Sequence, residues 1–182
     1  HLMFKGTRKY GPGQASKIIA KNGGSENAFT GYDYTAYYQI VTPDNLALVM
    51  DIESDRMSNL VLDEASVQAE RDVVLEERNT RTDNSDQAKM RELVTSTMFL
   101  AYPYRIPIIG WKHEIKRLDG ASALEFYRKW YVPNNAVLIV AGDVYPNDVR
   151  KLAERYYGPI ARGPEVKRNR IQEPPHVAGR RI

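Results

Sequence analysis

The sequence contains no cysteine. That excludes disulfides, thiolate metal ligands and cysteine nucleophiles together. It also favours a periplasmic over a cytoplasmic location, because a stray thiol is a liability where conditions are oxidising. No apolar run approaches the roughly 18 residues that a membrane-spanning helix needs, so no membrane span is expected. Histidine is scarce, with only His1, His113 and His176 among 182 residues. The chain from Arg162 to Arg181 has no aromatic residue that could stack on a base. No short-period repeat and no low-complexity segment is present.

What remains is ordinary in bulk and uneven in detail. Hydrophobic residues make up 42% and charged residues 27%, as in a soluble globular domain with a real core. The net charge of +3 hides an asymmetry. From Arg150 onward there are 9 Lys/Arg and 3 Glu, leaving 17 basic and 20 acidic residues before it. A basic end can read as a nucleic-acid surface. Over Arg162–Arg181 its mixture of Gly, Pro and charge, without aromatics, reads better as a solvated linker. The expected organisation is one domain over residues 1–161 and a linker over 162–182, with no nucleic-acid partner.

Local signals place the elements. Asn22-Gly23-Gly24 stops a short helix over Gln14–Lys21. Ser25–Thr30 and Tyr34–Thr42 are strand candidates, and Gly31-Tyr32-Asp33 allows a hairpin between them. Pro43-Asp44 begins a helix to about Leu60, and Asp63-Glu64 begins a charged one to about Arg81. Ser85 caps a third helix through Met98. Prolines hold residues 101–107 in a loop. Ser122–Tyr131 reads as a helix with an aromatic face, Ala136–Ala141 as a buried strand, and Pro146 opens a last helix that Gly158 ends. Strands and helices are segregated more than they alternate. The expected fold class is α+β, with helices packed on one face of a mainly antiparallel sheet.

The charged helix carries the first chemical signal. Glu70 and Glu77 are seven residues apart, nearly two turns, so both carboxylates project from one face about 10 Å apart along the axis. Val73 and Val74 lie between them. Acids set among apolar groups must be paired, protonated or bound to a cation. Spacing alone favours simple ion pairing with Arg78 and Arg81. His113 and His176 have no partner at metal-ligand spacing. His1 alone carries no signal; the residues after it give it one.

His1-Leu-Met-Phe-Lys-Gly-Thr7 resembles the end of the inverted H-x-x-E-H motif of the pitrilysin/insulinase-type zinc peptidases. Glu70-Arg71 and Glu77 resemble the helix that carries the family's third ligand, with Glu77 lying 76 positions after His1. Four further segments are similar in the same order. They are Asn22–Thr30 with Asp33–Tyr38, then Tyr102-Pro103-Tyr104 with Ile109-Gly110-Trp111, then Tyr131–Ala136, then Gly142-Asp143-Val144. The likeness covers about residues 1–160 and is nearest to bacterial members related to mitochondrial processing peptidase.

The resemblance implies a zinc metalloendopeptidase cleaving extended peptides with a zinc-bound water. His1 and Glu77 would be zinc ligands, and Glu70 the acid that orients the site. Asn27, Ala28, Phe29 and Thr30 would form an edge strand to which a peptide substrate adds. Phe4 and Phe29 would line its apolar pocket, although core packing explains Phe4 as well. Asp33 could pin the hairpin, without a catalytic role. The first His ligand and the general base would precede His1, so the 182 residues alone are expected to be inactive. The implied partners are the peptide and a homologous second half, in the same protein or on another subunit, with residues 162–182 leading toward it. A free sheet edge also suggests self-pairing into a dimer. The rival reading is a non-catalytic scaffold subunit of a processing-peptidase-like complex.

Overall fold

The computed structural model describes residues 1–181. Helix α1 (Gln14–Lys21) leads into an antiparallel hairpin of β1 (Ser25–Thr30) and β2 (Thr35–Ile40). Then come α2 (Leu46–Asn59), α3 (Glu64–Arg78), α4 (Asp86–Met98), a one-turn α5 (Lys112–Ile115), α6 (Gly120–Trp130) and α7 (Pro146–Tyr156). The fold is α+β and helix-rich, and its sheet among the described residues has two strands. Ser25 pairs with Ile40 and Thr30 with Thr35, and the Gly31 N–H closes the turn on the Tyr34 carbonyl at 2.8 Å.

The core forms where α1, α2 and the end of the hairpin meet. Ile19, Val49 and Ile52 are buried against one another, with Tyr10, Ile18, Val41 and Leu46 around them. Each such side chain contributes roughly 1.5–3 kcal/mol of burial. The glycine pair after α1 has two separate tasks. Gly23, at φ +72°, takes the left-handed conformation that ends the helix, which a Cβ would strain. Gly24 passes so close to Val41 and Ile19 that a Cβ would meet Val41 Cγ1 at 2.7 Å.

Two connections position the first residues. Arg8 N–H donates to the Asn59 carbonyl and Val61 N–H to the Gly6 carbonyl, at 3.2 and 3.1 Å, so residues 6–8 run antiparallel to the link between α2 and α3. At the same corner the Tyr127 hydroxyl donates to the Arg56 carbonyl and accepts the Leu60 N–H, which closes α2 from α6. The strand expected over Ala136–Ala141 is not formed. The segment is irregular, with Val137 85% and Ile139 81% exposed. An apolar run gains strand geometry only when a neighbour supplies ladder bonds, and among the described residues none lies alongside.

Candidate metal centre

Helix α3 is the platform. Its first turn is capped by Asp63, whose carboxylate accepts the Ser66 N–H at 2.8 Å. Val67 is buried, which fixes the rotation of the helix and turns Glu70 and Glu77 toward the first residues of the chain. There a single 3₁₀ turn over Leu2–Phe4, with Met3 buried, holds His1 over α3.

The three residues converge. His1 Nδ1 lies 2.8 Å from Glu70 Oε2, and His1 Nε2 lies 3.4 Å from Glu77 Oε2. Glu70 Oε1 is held by Lys5 Nζ at 2.5 Å, and Glu77 Oε1 by Arg81 at 2.7 Å. The ordinary (i, i+4) pairing of Glu77 with Arg81 is therefore present, but it uses one oxygen and leaves the other facing the imidazole. Burial pushes the Glu70 carboxyl up, yet the hydrogen bonds from Lys5 and His1 outweigh it and hold Glu70 below the ordinary carboxylate range.

The arrangement has a chemical direction. An ionised Glu70 only accepts, so the proton in the contact between them sits on Nδ1. Nε2 and a Glu77 oxygen face each other, an approach that is favourable only with a proton or a cation between them. Two ligands on one tetrahedral zinc, each at about 2.0–2.2 Å, stand about 3.3–3.5 Å apart. The observed 3.4 Å suits that pair. Among the described residues no group of three or more His, Asp or Glu side chains comes together as a complete metal site. The chain brings an imidazole nitrogen and a carboxylate oxygen face to face, with a second acid bonded to the other ring nitrogen.

β1 is tied to the first residues of the chain through Arg56, which covers Phe4 and donates to Glu26. Strand pairing alternates, and with Gly31 and Tyr34 bonded, the N–H and C=O groups of Glu26, Ala28 and Thr30 face away from β2. The Ala28 N–H is covered by its neighbour's amide oxygen, Asn27 Oδ1, at 2.8 Å. Thr30 and Thr35 hydroxyls meet across the strands at 3.1 Å. Phe29 is 50% exposed and lies edge-on to Tyr34. Phe4 is placed differently from the expectation. It packs under the Arg56 guanidinium, 4.6 Å from the ring centre, and beside Tyr37. Tyr37 pairs with Ala28, so it lies on the opposite face of the hairpin from Phe29. Phe4 therefore packs toward the opposite face of the hairpin from Phe29. Asp33 does pin the hairpin, accepting the Tyr104 hydroxyl at 2.7 Å.

Two residues carry more than their sequence positions signal. Lys5 sits in the first motif but means nothing until the fold brings it to Glu70. Arg78 reads, by spacing, as a partner for the acids of its own helix. It turns the other way, donating two hydrogen bonds to the Glu92 carboxylate at 2.9 and 2.7 Å and one to the Gly110 carbonyl at 2.9 Å.

With this geometry in place, known proteins can be compared. The profile of the family described as insulinase (peptidase family M16) matches residues 1–111, and that of the peptidase M16 inactive domain matches residues 117–182. The chain belongs to the M16 peptidase family. Within that family it is 32% identical over 157 residues to the zinc protease PqqE of Helicobacter pylori, covering 86% of this chain and 35% of that protein. An uncharacterised zinc protease of Streptomyces coelicolor is 35% identical over 149 residues, covering 82% of this chain and 32% of that one. A solved Helicobacter pylori protease superposes with a TM-score of 0.88 at 31% identity, over 96% of this chain and 43% of that one. The first half of the periplasmic protease PqqL of Escherichia coli gives 0.80 at 25% identity, over 94% and 38%. The chain thus spans about a third of the length of these curated relatives. Its M16 relatives are bacterial zinc proteases, and M16 structures are built in two halves. Among the described residues no helix is long and apolar enough to cross a membrane.

Proposed function

We propose that this chain is the zinc-bearing half of an M16 metalloendopeptidase, and that residues 162–182 connect it to the partner half. The observation that carries the proposal is His1 Nε2 facing Glu77 Oε2 at 3.4 Å while Nδ1 is tied to Glu70. His1 and Glu77 would hold zinc together with a third ligand. When bound there, zinc supplies Lewis acidity toward water and a peptide carbonyl.

The chain's own residues do the preparation. Glu70 fixes the ring orientation through Nδ1, so that Nε2 is the nitrogen turned toward Glu77. Lys5 keeps Glu70 ionised and acceptor-only. β1 receives an extended peptide as an added strand, with the incoming carbonyl displacing Asn27 from the Ala28 N–H. Main-chain pairing of this kind tolerates varied sequence, and Phe29 offers an exposed ring to a substrate side chain. A non-catalytic scaffold has no use for a histidine bracketed by two acidic side chains. PqqL is a periplasmic protease, and a chain without cysteine suits the same compartment. The 182 residues supply two of the three protein ligands and no general base, so alone they do not hydrolyse peptides.

Zinc content and cleavage of an unstructured peptide, measured on the protein at its full natural length and on the 182-residue chain, test this reading. Near-stoichiometric zinc and turnover are expected only for the former. Glu77→Gln should lose both, and Glu70→Gln should weaken zinc about 10–100-fold. Unchanged zinc and turnover in Glu77→Gln would remove it as a ligand. Turnover by the short chain would overturn its inactivity.

A further inference from the structure

Residues 162–181 are mostly exposed, but the Glu173 side chain is gripped. The Glu173 carboxylate accepts three consecutive backbone N–H groups, those of Leu100, Ala101 and Tyr102, the last two at 3.0 and 2.8 Å. Leu100 bonds one oxygen and the other two residues share the second. Successive N–H groups aimed at one point make an anion nest. Arg180 works beside it, donating to the Thr97 and Met98 carbonyls at the end of α4. The tail therefore satisfies both an acceptor-seeking loop and the donor-seeking end of a helix.

The loop so held is continuous with the hairpin. Tyr102 meets Tyr104 edge-on at 4.8 Å. Tyr104 stacks on Tyr32 at 4.5 Å and donates to Asp33. Tyr32 and Asp33 lie in the turn that joins β1 to β2. No other polar contact fastens that turn to α4 or its loop among the described residues.

We infer that Glu173 is a latch: its carboxylate, seated in the Leu100–Tyr102 nest, fixes the 99–105 loop, and through Tyr104 that loop fixes the tip of the hairpin and hence the position of β1. Glu173 is a positioning residue, far along the chain from the strand it steadies. Its effect on cleavage rests on the reading of β1 as the substrate strand; the latch itself does not.

Amide hydrogen exchange on the protein at its full natural length, compared with Glu173→Ala, tests the latch. Glu165→Ala is the control, since Glu165 is exposed and makes no hydrogen bond among the described residues. Exchange at Leu100, Ala101 and Tyr102 should quicken about tenfold or more, and at Gly31, whose N–H closes the hairpin, about twofold or more. Glu173→Gln, which keeps a carbonyl acceptor, should recover part of both. In the peptide assay KM should rise about 3–10-fold while kcat and zinc content stay within about twofold. Unchanged exchange at Leu100–Tyr102 overturns the latch. A freed loop with unchanged Gly31 exchange overturns its link to the hairpin. A wild-type protein without peptidase activity sinks the peptidase reading instead, and the exchange result still decides the latch.

Discussion

Arg56 on α2 and Arg78 at the end of α3 are both nearly inaccessible, at 3% and 5% exposure, yet their surroundings differ. Arg56 lies among rings and competing acids. Phe4 and Tyr37 cover its plane, Glu26 accepts from it at 3.1 Å, and Glu53 stands 3.3 Å from an Nη1 that makes no hydrogen bond. Arg78 is held by geometry instead, gripping Glu92 with both terminal nitrogens and the Gly110 carbonyl with one of them. The first is a charge cushioned under the entry segment and β1. The second is a rivet joining α3, α4 and the loop before α5, one residue beyond Glu77. Each guanidinium keeps one buried nitrogen without a hydrogen bond, so the contrast lies in the paired grip on Glu92 that Arg78 alone of the two makes.

Breaking the rivet should cost most. Arg78→Ala leaves Glu92 half-buried without its partner, and the expected loss is about 3–5 kcal/mol, read from urea unfolding. A double-mutant cycle with Glu92→Gln should show coupling of at least about 1 kcal/mol. Arg56→Ala should cost less, about 2–3 kcal/mol, because both acids keep other partners. Glu26 retains the Ser16 hydroxyl, and Glu53 retains the Gln39 amide at 2.6 Å. Equal losses at the two positions would erase the contrast.

Acid separates the same two regions more gently. Burial, helped by Glu26, raises the Glu53 carboxyl against the pull of Arg56. A raised carboxyl stabilises the fold fully below its unfolded pKa, and that support is lost as pH rises through the folded value. Asp83 is lowered, chiefly by the Lys112 hydrogen bond and further by the Arg78 and Lys112 charges. Its support is present above the unfolded pKa and is lost as pH falls through the folded value. Taking the protein from neutral pH to about pH 3 should therefore tighten α2 before it loosens the 79–83 turn. Exchange protection of α2 and of Asn79–Asp83, followed separately, checks the order. Simultaneous loosening would contradict it.

These regions also show how far sequence reading reaches. The hairpin, the Ser85 cap and the run of α3 are legible because each is written locally, in Gly-Gly, in a hydroxyl before a helix, in an acid at a first turn. The approach of His1 to Glu70 and Glu77 comes from the resemblance and not from spacing. Arg78 is legible as a charge but not as a rivet, since its partners lie 14 and 32 residues away. Helix α3 is expected to run on to Arg81, but Asn79–Asp83 form a π-helical turn instead. That widening accompanies the Arg78 and Lys112 contacts to Asp83, and no local residue pattern announces it. Glu173 reads as one charge in a solvated linker, because a nest of N–H groups leaves no side-chain trace.

The smallest expected effect lies at Ile139, and it discriminates between two descriptions of residues 136–141. The run Ala-Val-Leu-Ile-Val-Ala has the composition of a buried strand, but here Ile139 is 81% exposed. Composition asks for burial, and among the described residues no neighbour provides it. In the 182-residue chain Ile139→Ser should change stability by less than about 0.5 kcal/mol, as at any open surface position. It should also reduce self-association seen by light scattering, because it interrupts an exposed apolar edge. In the protein at its full natural length the same substitution should cost about 2 kcal/mol or more if another strand covers the run. A similar small effect in both would mean that these residues stay exposed in either form. The apolar composition of the segment would then need an explanation other than burial.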